Sequence, residues 1–433
     1  MRKFLYSVFM LAVVILTACS NDDNGDTQPK RGMILNASVE NLSSRATMTD
    51  ESGTWKFAFA ANDKVSVSNN KISNYYTFTN NGSQFTCAQA EATTENADWY
   101  AYFPGNEVDL KNQTGTFADV ANKFAVAGKT AQTTTGENGL SITLKPKVAV
   151  LRVVAVDKKG ILDIHVKTAD GGWVKGLTAT KDAAEFTVST SDAKTTLLQK
   201  AEGTVNAGEI NYVVVPADVK IEIYNGDLLL NTTKVGLTAG KYYTITSGPT
   251  KGKTNALING QETPVEWVQL WAGGPRFATQ NVAEEMTWTD AANTGKEYVW
   301  GENWRTPTAA EVTEEGGLQA EWNTKEGKWV VKEGSPTINV TTKDGIEETV
   351  EFTGVQPGYT KNTLTLYNKI DSHGYSHFNF WTTTENNGYG CMYRIMIDKG
   401  IIGIFGPSSF ESKDTKCLVR PVLSIQNITN NKK

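Results

Sequence analysis

The chain has 433 residues, with 42 lysines and arginines against 47 aspartates and glutamates, and a net charge of −5 at neutral pH. Charged residues make up 21% and hydrophobic residues 39%, a globular balance that excludes a disordered chain and argues against a nucleic-acid partner. The length suits about three domains, each large enough to bury its own core. At the N-terminus, Arg2 and Lys3 precede an apolar run from Phe4 to Leu16. That run is too short to span a bilayer as a helix and small residues follow it, so it reads as an export signal that is later removed.

Cys19 follows Leu16-Thr17-Ala18, and the acidic stretch Ser20 to Asp26 comes after it. The tetrad resembles the lipobox of bacterial lipoproteins, and the resemblance implies that Cys19 is acylated and becomes the first residue. An ordinary signal with an incidental cysteine is the alternative. An acyl chain would tether the protein to a membrane without spanning it. The acidic stretch resembles the tag that sends lipoproteins of some Gram-negative bacteria to the outer face of the outer membrane.

From residue 33 onward the chain has strand character. In ILNASVE, Leu35, Ala37 and Val39 alternate with Asn36, Ser38 and Glu40, which predicts a strand leading into the polar loop NLSSRATMTD with Arg45 and Ala46. TWKFAFAANDKVSVSNN gives one strand with Trp55, Phe57 and Phe59 on one face and a second beginning at Val65 and Val67. WYAYFPGN repeats the pattern until Pro104-Gly105 stops it. SITLKPKVAVLRVVAV reads as two strands hinged at Pro146, and YVVVPADVKIEIYNGDLLL as a hairpin turning at Asn225-Gly226. KYYTIT closes this half.

These segments, in this order and together with LTAGKYYTITSG, resemble the fimbrillin family, surface pilins of gut and oral Gram-negative bacteria. The resemblance covers about residues 33 to 248. It implies two transthyretin-like β-sandwich domains, 33–144 and 145–248. It also implies that an arginine-specific protease cuts between Arg45 and Ala46, that the preceding strand leaves, and that its groove accepts a strand of another pilin subunit. A solvated loop arginine is the plainer reading of Arg45. Arg31, which precedes the strand, is a competing cleavage site that would leave the groove filled.

Residues 249–257 read as a linker, and eight of the eleven tryptophans lie beyond residue 260. VQLWAGGPRFATQNV, YVWGENWRTPTAAEV, FTGVQPGY, FNFWTTTENNGYG and KCLVRPV resemble C-type-lectin-like modules over residues 258–425, which implies an α+β domain before a tail at 426–433. One helix is expected, started by Thr306-Pro307 or by the capping box Thr308-x-x-Glu311 and ended at Gly316-Gly317. The expected fold class is therefore mainly β, with two sandwiches followed by a lectin-like domain.

Catalytic and metal signatures are absent from the sequence: no HExxH, GxSxG, GxGxxG or paired CxxC occurs, so no catalytic residue, metal or cofactor is expected. His165 is expected to face solvent. His373 and His377 lie four apart in a glycine-containing stretch unsuited to a helical metal pair. Gln356-Pro357-Gly358 stands where calcium-dependent lectins carry a carboxylate, which disfavours calcium. A formylglycine-generating enzyme is the catalytic alternative, because those enzymes resemble this fold and bind copper through a cysteine pair. Export allows a Cys391–Cys417 disulfide, with two separate buried thiols as the other reading.

The family resemblance implies a pilus tip or accessory adhesin at the cell surface, lipid-anchored to the outer membrane before cleavage. Its expected partners are other pilin subunits and a host or microbial surface glycan or protein. A non-polymerising lipoprotein that captures glycans is the alternative. His373, Tyr375, His377, Asn386, Asn387 and Tyr389 are the candidate ligand contacts. Phe378, Phe380 and Trp381 are set aside as core residues of a strand.

Overall fold

The computed structural model describes residues 33–424 apart from 41–48, 51–52, 55–58, 91–96, 134–138, 158–159, 283, 293–299, 327, 346, 370–374 and 399–400. Cys19, Arg45, Ala46 and His373 lie outside the described residues, as do Trp55 and Phe57. The rest is mainly β. Among the described residues no helix is long and apolar enough to cross a membrane.

The first body is a closed barrel. Its hydrogen-bonded order runs Met33–Val39, Leu140–Pro146, Val126–Thr133, Ala97–Phe103, Lys64–Asn69, Tyr76–Asn80 and Phe85–Cys87, and then returns to Met33–Val39. A sandwich leaves two sheets with open edges. Here the first strand joins those edges, so the ring closes. Val65, Val67, Phe78, Trp99 and Leu144 fill the interior without measurable exposure. The alternation expected from the sequence places them inward.

The second body has a small sheet in which Val148–Val154 pairs antiparallel with Ile210–Pro216 and parallel with Tyr242–Thr246. Its larger sheet runs Glu185–Ser191, Trp173–Thr180, Gly160–Thr168, Ile221–Asn225 and Leu228–Thr232. Glu107–Asp109, from the first half of the chain, adds to this sheet beside Trp173–Thr180. One continuous core therefore extends from Met33 to Leu237 across both bodies.

Two local expectations change here. Asn225 pairs with Leu228, so Gly226-Asp227 make the turn, one residue later than the Asn225-Gly226 turn expected from the sequence. The Asn225 side chain is engaged elsewhere, accepting from the Asp163 amide and donating to the Ser247 carbonyl. His165 does not face solvent. It is buried on Gly160–Thr168, with Nδ1 2.9 Å from the Thr195 carbonyl and Nε2 3.0 Å from Asp163. These polar neighbours are what make burial of the imidazole tolerable.

The segment expected to link the second body to the C-terminal region is itself a strand. Lys251–Ile258 pairs along its length with Gln261–Gln269 in a five-stranded sheet that also holds Arg276–Ala278, Val422–Leu423 and Trp304–Arg305. A packed joint surrounds it. Tyr359 is fully buried with Val154 and Val156, Arg276 reaches Asp157 at 3.0 Å, and the Gly273 amide donates to the Val156 carbonyl. Gln356-Pro357-Gly358 belongs to this joint: the Gln356 side-chain Oε1 accepts from the Ala272 amide, and Gly358 lies against Thr246 with φ +87°. An added Cβ there would sit 2.6 Å from the Thr246 methyl, so only glycine fits.

The WRTP and VRPV stretches of the C-terminal region act as internal braces. Trp304 is buried and donates to the Asn255 carbonyl, while Arg420 is buried and donates to the carbonyls of Ala278 and Thr365. Burial lowers the Arg420 pKa to about 9. The expected helix is shorter than the sequence suggests, Ala309–Val312, and ends at Thr313 rather than at Gly316-Gly317. Thr308 and Glu311 form its capping box, and Arg305 pairs with Glu311. Thr306 is not the cap; its hydroxyl donates to the Ala291 carbonyl. A second short helix, Trp288–Ala292, was not signalled.

The joint yields a paired expectation. The Tyr359 hydroxyl is buried without a hydrogen-bond partner among the described residues, so Tyr359→Phe should leave stability unchanged or raise it. Tyr359→Ala should weaken the joint by about 3–5 kcal/mol through the cavity left behind. Limited proteolysis checks this: cutting within residues 247–257 should appear for Tyr359→Ala and not for Tyr359→Phe.

Candidate functional site

The first strand lies between two neighbours of opposite direction. Leu35 to Val39 run parallel to Leu140 to Leu144, residue for residue, while Met33, Ile34 and Leu35 run antiparallel to Cys87, Thr86 and Phe85. Met33 and Leu35 are buried, and Ala37 and Val39 pack on the same core less completely. The groove that holds the strand therefore offers its deepest apolar sites to its first half. Fully burying two such side chains is worth about 1.5–3 kcal/mol each.

Two further features fit the groove to an extended backbone. Gly139 has φ +73°, and a Cβ on it would sit 2.3 Å from the Ile34 carbonyl, so glycine lets the strand approach closely. At the other end Ser38 and Thr143 bring their hydroxyls within 3.4 Å, and Lys145 pairs with Glu40 at 3.3 Å. The ion pair is exposed and adds little. The apolar sites hold the strand, and their alternation sets its register.

The groove wall is legible in hindsight. Leu140, Ile142 and Leu144 alternate with Ser141 and Thr143, the same period that marks the first strand, and all three apolar residues are buried. Sequence reading placed a strand at SITLKP but did not pair it with the first strand, because pairing partners far apart in sequence leave no local mark.

The candidate ligand residues are not brought together. Tyr375 opens the strand Tyr375–Asn386, opposite Asp398, whereas Asn386 and Tyr389 face each other across the turn at its far end. At about 3.3 Å per residue the two groups are on the order of 30 Å apart. Tyr375, His377, Asn386, Asn387 and Tyr389 are all exposed, while Phe378, Phe380 and Trp381 are buried as expected. Asn387 supplies a turn conformation, with φ +50°. The far-end group is thus a hairpin tip and a site separate from Tyr375 and His377.

Cys391 and Cys417 are free and buried, the arrangement of the two-thiol reading. Cys391 lies on Tyr389–Asp398, paired on both sides within its own sheet, and Cys417 pairs with Met286 in another. Burial raises both: Cys417 is pushed up to about 12, with help from the nearby Glu285 carboxylate, and Cys391 moves in the same direction. Thiols held protonated are poor copper ligands. Among the described residues no group of three or more His, Cys, Asp or Glu side chains is placed to hold a metal ion.

Comparison with solved structures returns surface proteins. A Bacteroides ovatus chain assigned to cell adhesion overlays 55% of this chain and 96% of its own, at 11% identity and a TM-score of 0.33. A fimbrial protein of Bacteroides ovatus overlays 91% of this chain and 99% of its own, at 12% identity and a TM-score of 0.23. The major pilin of Streptococcus pyogenes overlays 50% of this chain and 96% of its own, at 11% identity and a TM-score of 0.17. Overlays this loose carry no weight on what the chain does. No family model and no curated protein matches the sequence.

The groove makes a direct stability prediction. Leu35→Ala removes a fully buried side chain at the seam and should cost about 2–5 kcal/mol. Ser38→Ala, on the rim, should cost less than about 1 kcal/mol. Urea unfolding of residues 33–248, followed by far-UV circular dichroism, would check the ranking.

Proposed function

We propose that this protein is a fimbrial subunit of the bacterial surface that accepts a neighbour's strand and ends or decorates the fibre. The observation that carries the proposal is the seam. Met33–Val39 closes the barrel on both sides, and residues 40–48 lead from it to the rest of the chain. Cleavage after Arg45 would leave the strand held by backbone hydrogen bonds and apolar contacts alone. Loss of the strand would expose the edges of Phe85–Cys87 and Leu140–Pro146 and empty the sites of Met33 and Leu35. An incoming strand with apolar residues at every second position satisfies both needs.

The C-terminal region supports the terminal position. Tyr242–Thr246 lies parallel to Val148–Val154 and continues into the joint with the C-terminal region. In the fimbrillins that this chain resembles, the C-terminal strand is the one donated to a neighbour, and donating the strand in that place here would require breaking the joint. On this reading an acyl group on Cys19 tethers the precursor at the outer membrane until cleavage. The C-terminal region then faces outward toward a host or microbial partner.

Replacing Arg45 with Ala tests the proposal. The variant should reach the surface with its first strand retained and be absent from sheared fibres by immunoblot. Normal incorporation would exclude cleavage at this position as the activating step.

A further inference from the structure

A cavity of about 230 Å³ opens in the C-terminal region, away from the barrel seam. Four parts of the chain build it: Asn281 and Glu285, the strand Thr363–Lys369, the hairpin Tyr375–Asn386 with Tyr389–Asp398, and residues 411–418. Its wall follows from the strand alternation. Ser376, Phe378 and Phe380 point into the core, so His377 and Asn379 stand on the opposite, outward face. Asn379 faces Arg394 across the ladder and accepts from its Nε at 3.3 Å. Arg394 also donates to Glu411 at 3.0 Å. Asn368 donates to the His377 carbonyl, which fastens the two strands that form one rim.

On that rim Tyr367 is 71% exposed, an unusual state for a tyrosine next to a cavity. Inside, the side-chain oxygen of Asn281 is buried and has no hydrogen-bond partner among the described residues. The site thus combines an open aromatic face with several fixed polar groups.

The charges narrow the ligand class. Arg394 is committed to Glu411, and Lys416 and Glu285 also line the wall, so the lining holds two cationic and two anionic side chains and offers no net charge to a strong anion or a strong cation. Cys417 forms part of the wall as a protonated thiol, which removes a nucleophile from consideration. What remains are planar donors and acceptors of both kinds beside a flat apolar ring. That set matches the alternating hydroxyls and apolar face of a sugar.

We propose that this cavity binds an uncharged pyranose unit of a surface glycan, stacked on Tyr367 and hydrogen-bonded by Asn379 and the Arg394–Glu411 pair. The inference rests on the reading of the C-terminal region as the outward-facing part of a surface subunit. It moves recognition from the hairpin tip at Asn386 to Tyr389 to a site that shares only His377 with the earlier candidates.

The test is titration of the full chain with methyl glycosides of glucose, galactose, mannose and N-acetylglucosamine, read by saturation-transfer NMR. At least one should bind saturably, and Tyr367→Ala and Asn379→Ala should each weaken it roughly tenfold or more. The Tyr389→Ala variant, at the hairpin tip, should bind as the parent does. Absence of saturable binding by all four, or binding unchanged in both cavity variants, would overturn the proposal. So would preference for N-acetylneuraminate or glucosamine over every neutral glycoside. The readout needs no fibre, so a negative result strikes the cavity and leaves strand acceptance, read by incorporation, standing.

Discussion

The structure depends on one strand being first in sequence and enclosed in the barrel. Met33–Val39 is parallel to Leu140–Pro146, and a parallel pair cannot be joined by a tight hairpin. More than a hundred residues of chain therefore separate the strand from its longest partner, and its covalent tie to the barrel is the short stretch that follows it. While that stretch is intact, the strand is held at high effective concentration. Once the stretch is cut, the same contacts must hold a free peptide. The strand is then exchangeable against any competitor that pairs over a longer span.

The joint at the other end of the second body has the opposite character. It is built from a buried tyrosine, a buried arginine with its aspartate, and backbone bonds made by Gly273 and Ser247. None of these parts can move without exposing an unpaired polar group or a cavity. On the proposed function, a subunit with a removable strand at one end and an immovable one at the other would receive a strand and give none, which is the physical content of a fibre terminus.

Much of this was legible in residues that act locally. ILNASVE announces its strand by alternation, and Leu35 is buried accordingly. The capping box Thr308 to Glu311 is where the sequence puts it, and Phe378, Phe380 and Trp381 are core. What was not legible are relations between distant segments. The sequence cannot say that Met33–Val39 closes a ring, that residues 251–257 extend a sheet instead of linking domains, or that Asp163 and Thr195 make an interior place for His165. The candidate ligand residues are spread apart for the same reason. They are near in sequence, but an extended hairpin carries sequence neighbours apart, while the cavity gathers residues from 281 to 418.

The central claim is that the first strand must leave for a neighbour to enter, and a reversible lock tests it most directly. The hydroxyls of Ser38 and Thr143 lie 3.4 Å apart on adjacent strands, which suits a disulfide between Ser38→Cys and Thr143→Cys. Under oxidising conditions the doubly substituted chain should still be cut after Arg45 yet stay out of fibres. Reduction should restore incorporation to the level of the unsubstituted chain. Equal incorporation of the oxidised and reduced forms would contradict the account, because a neighbour's strand would then be entering with the groove still filled.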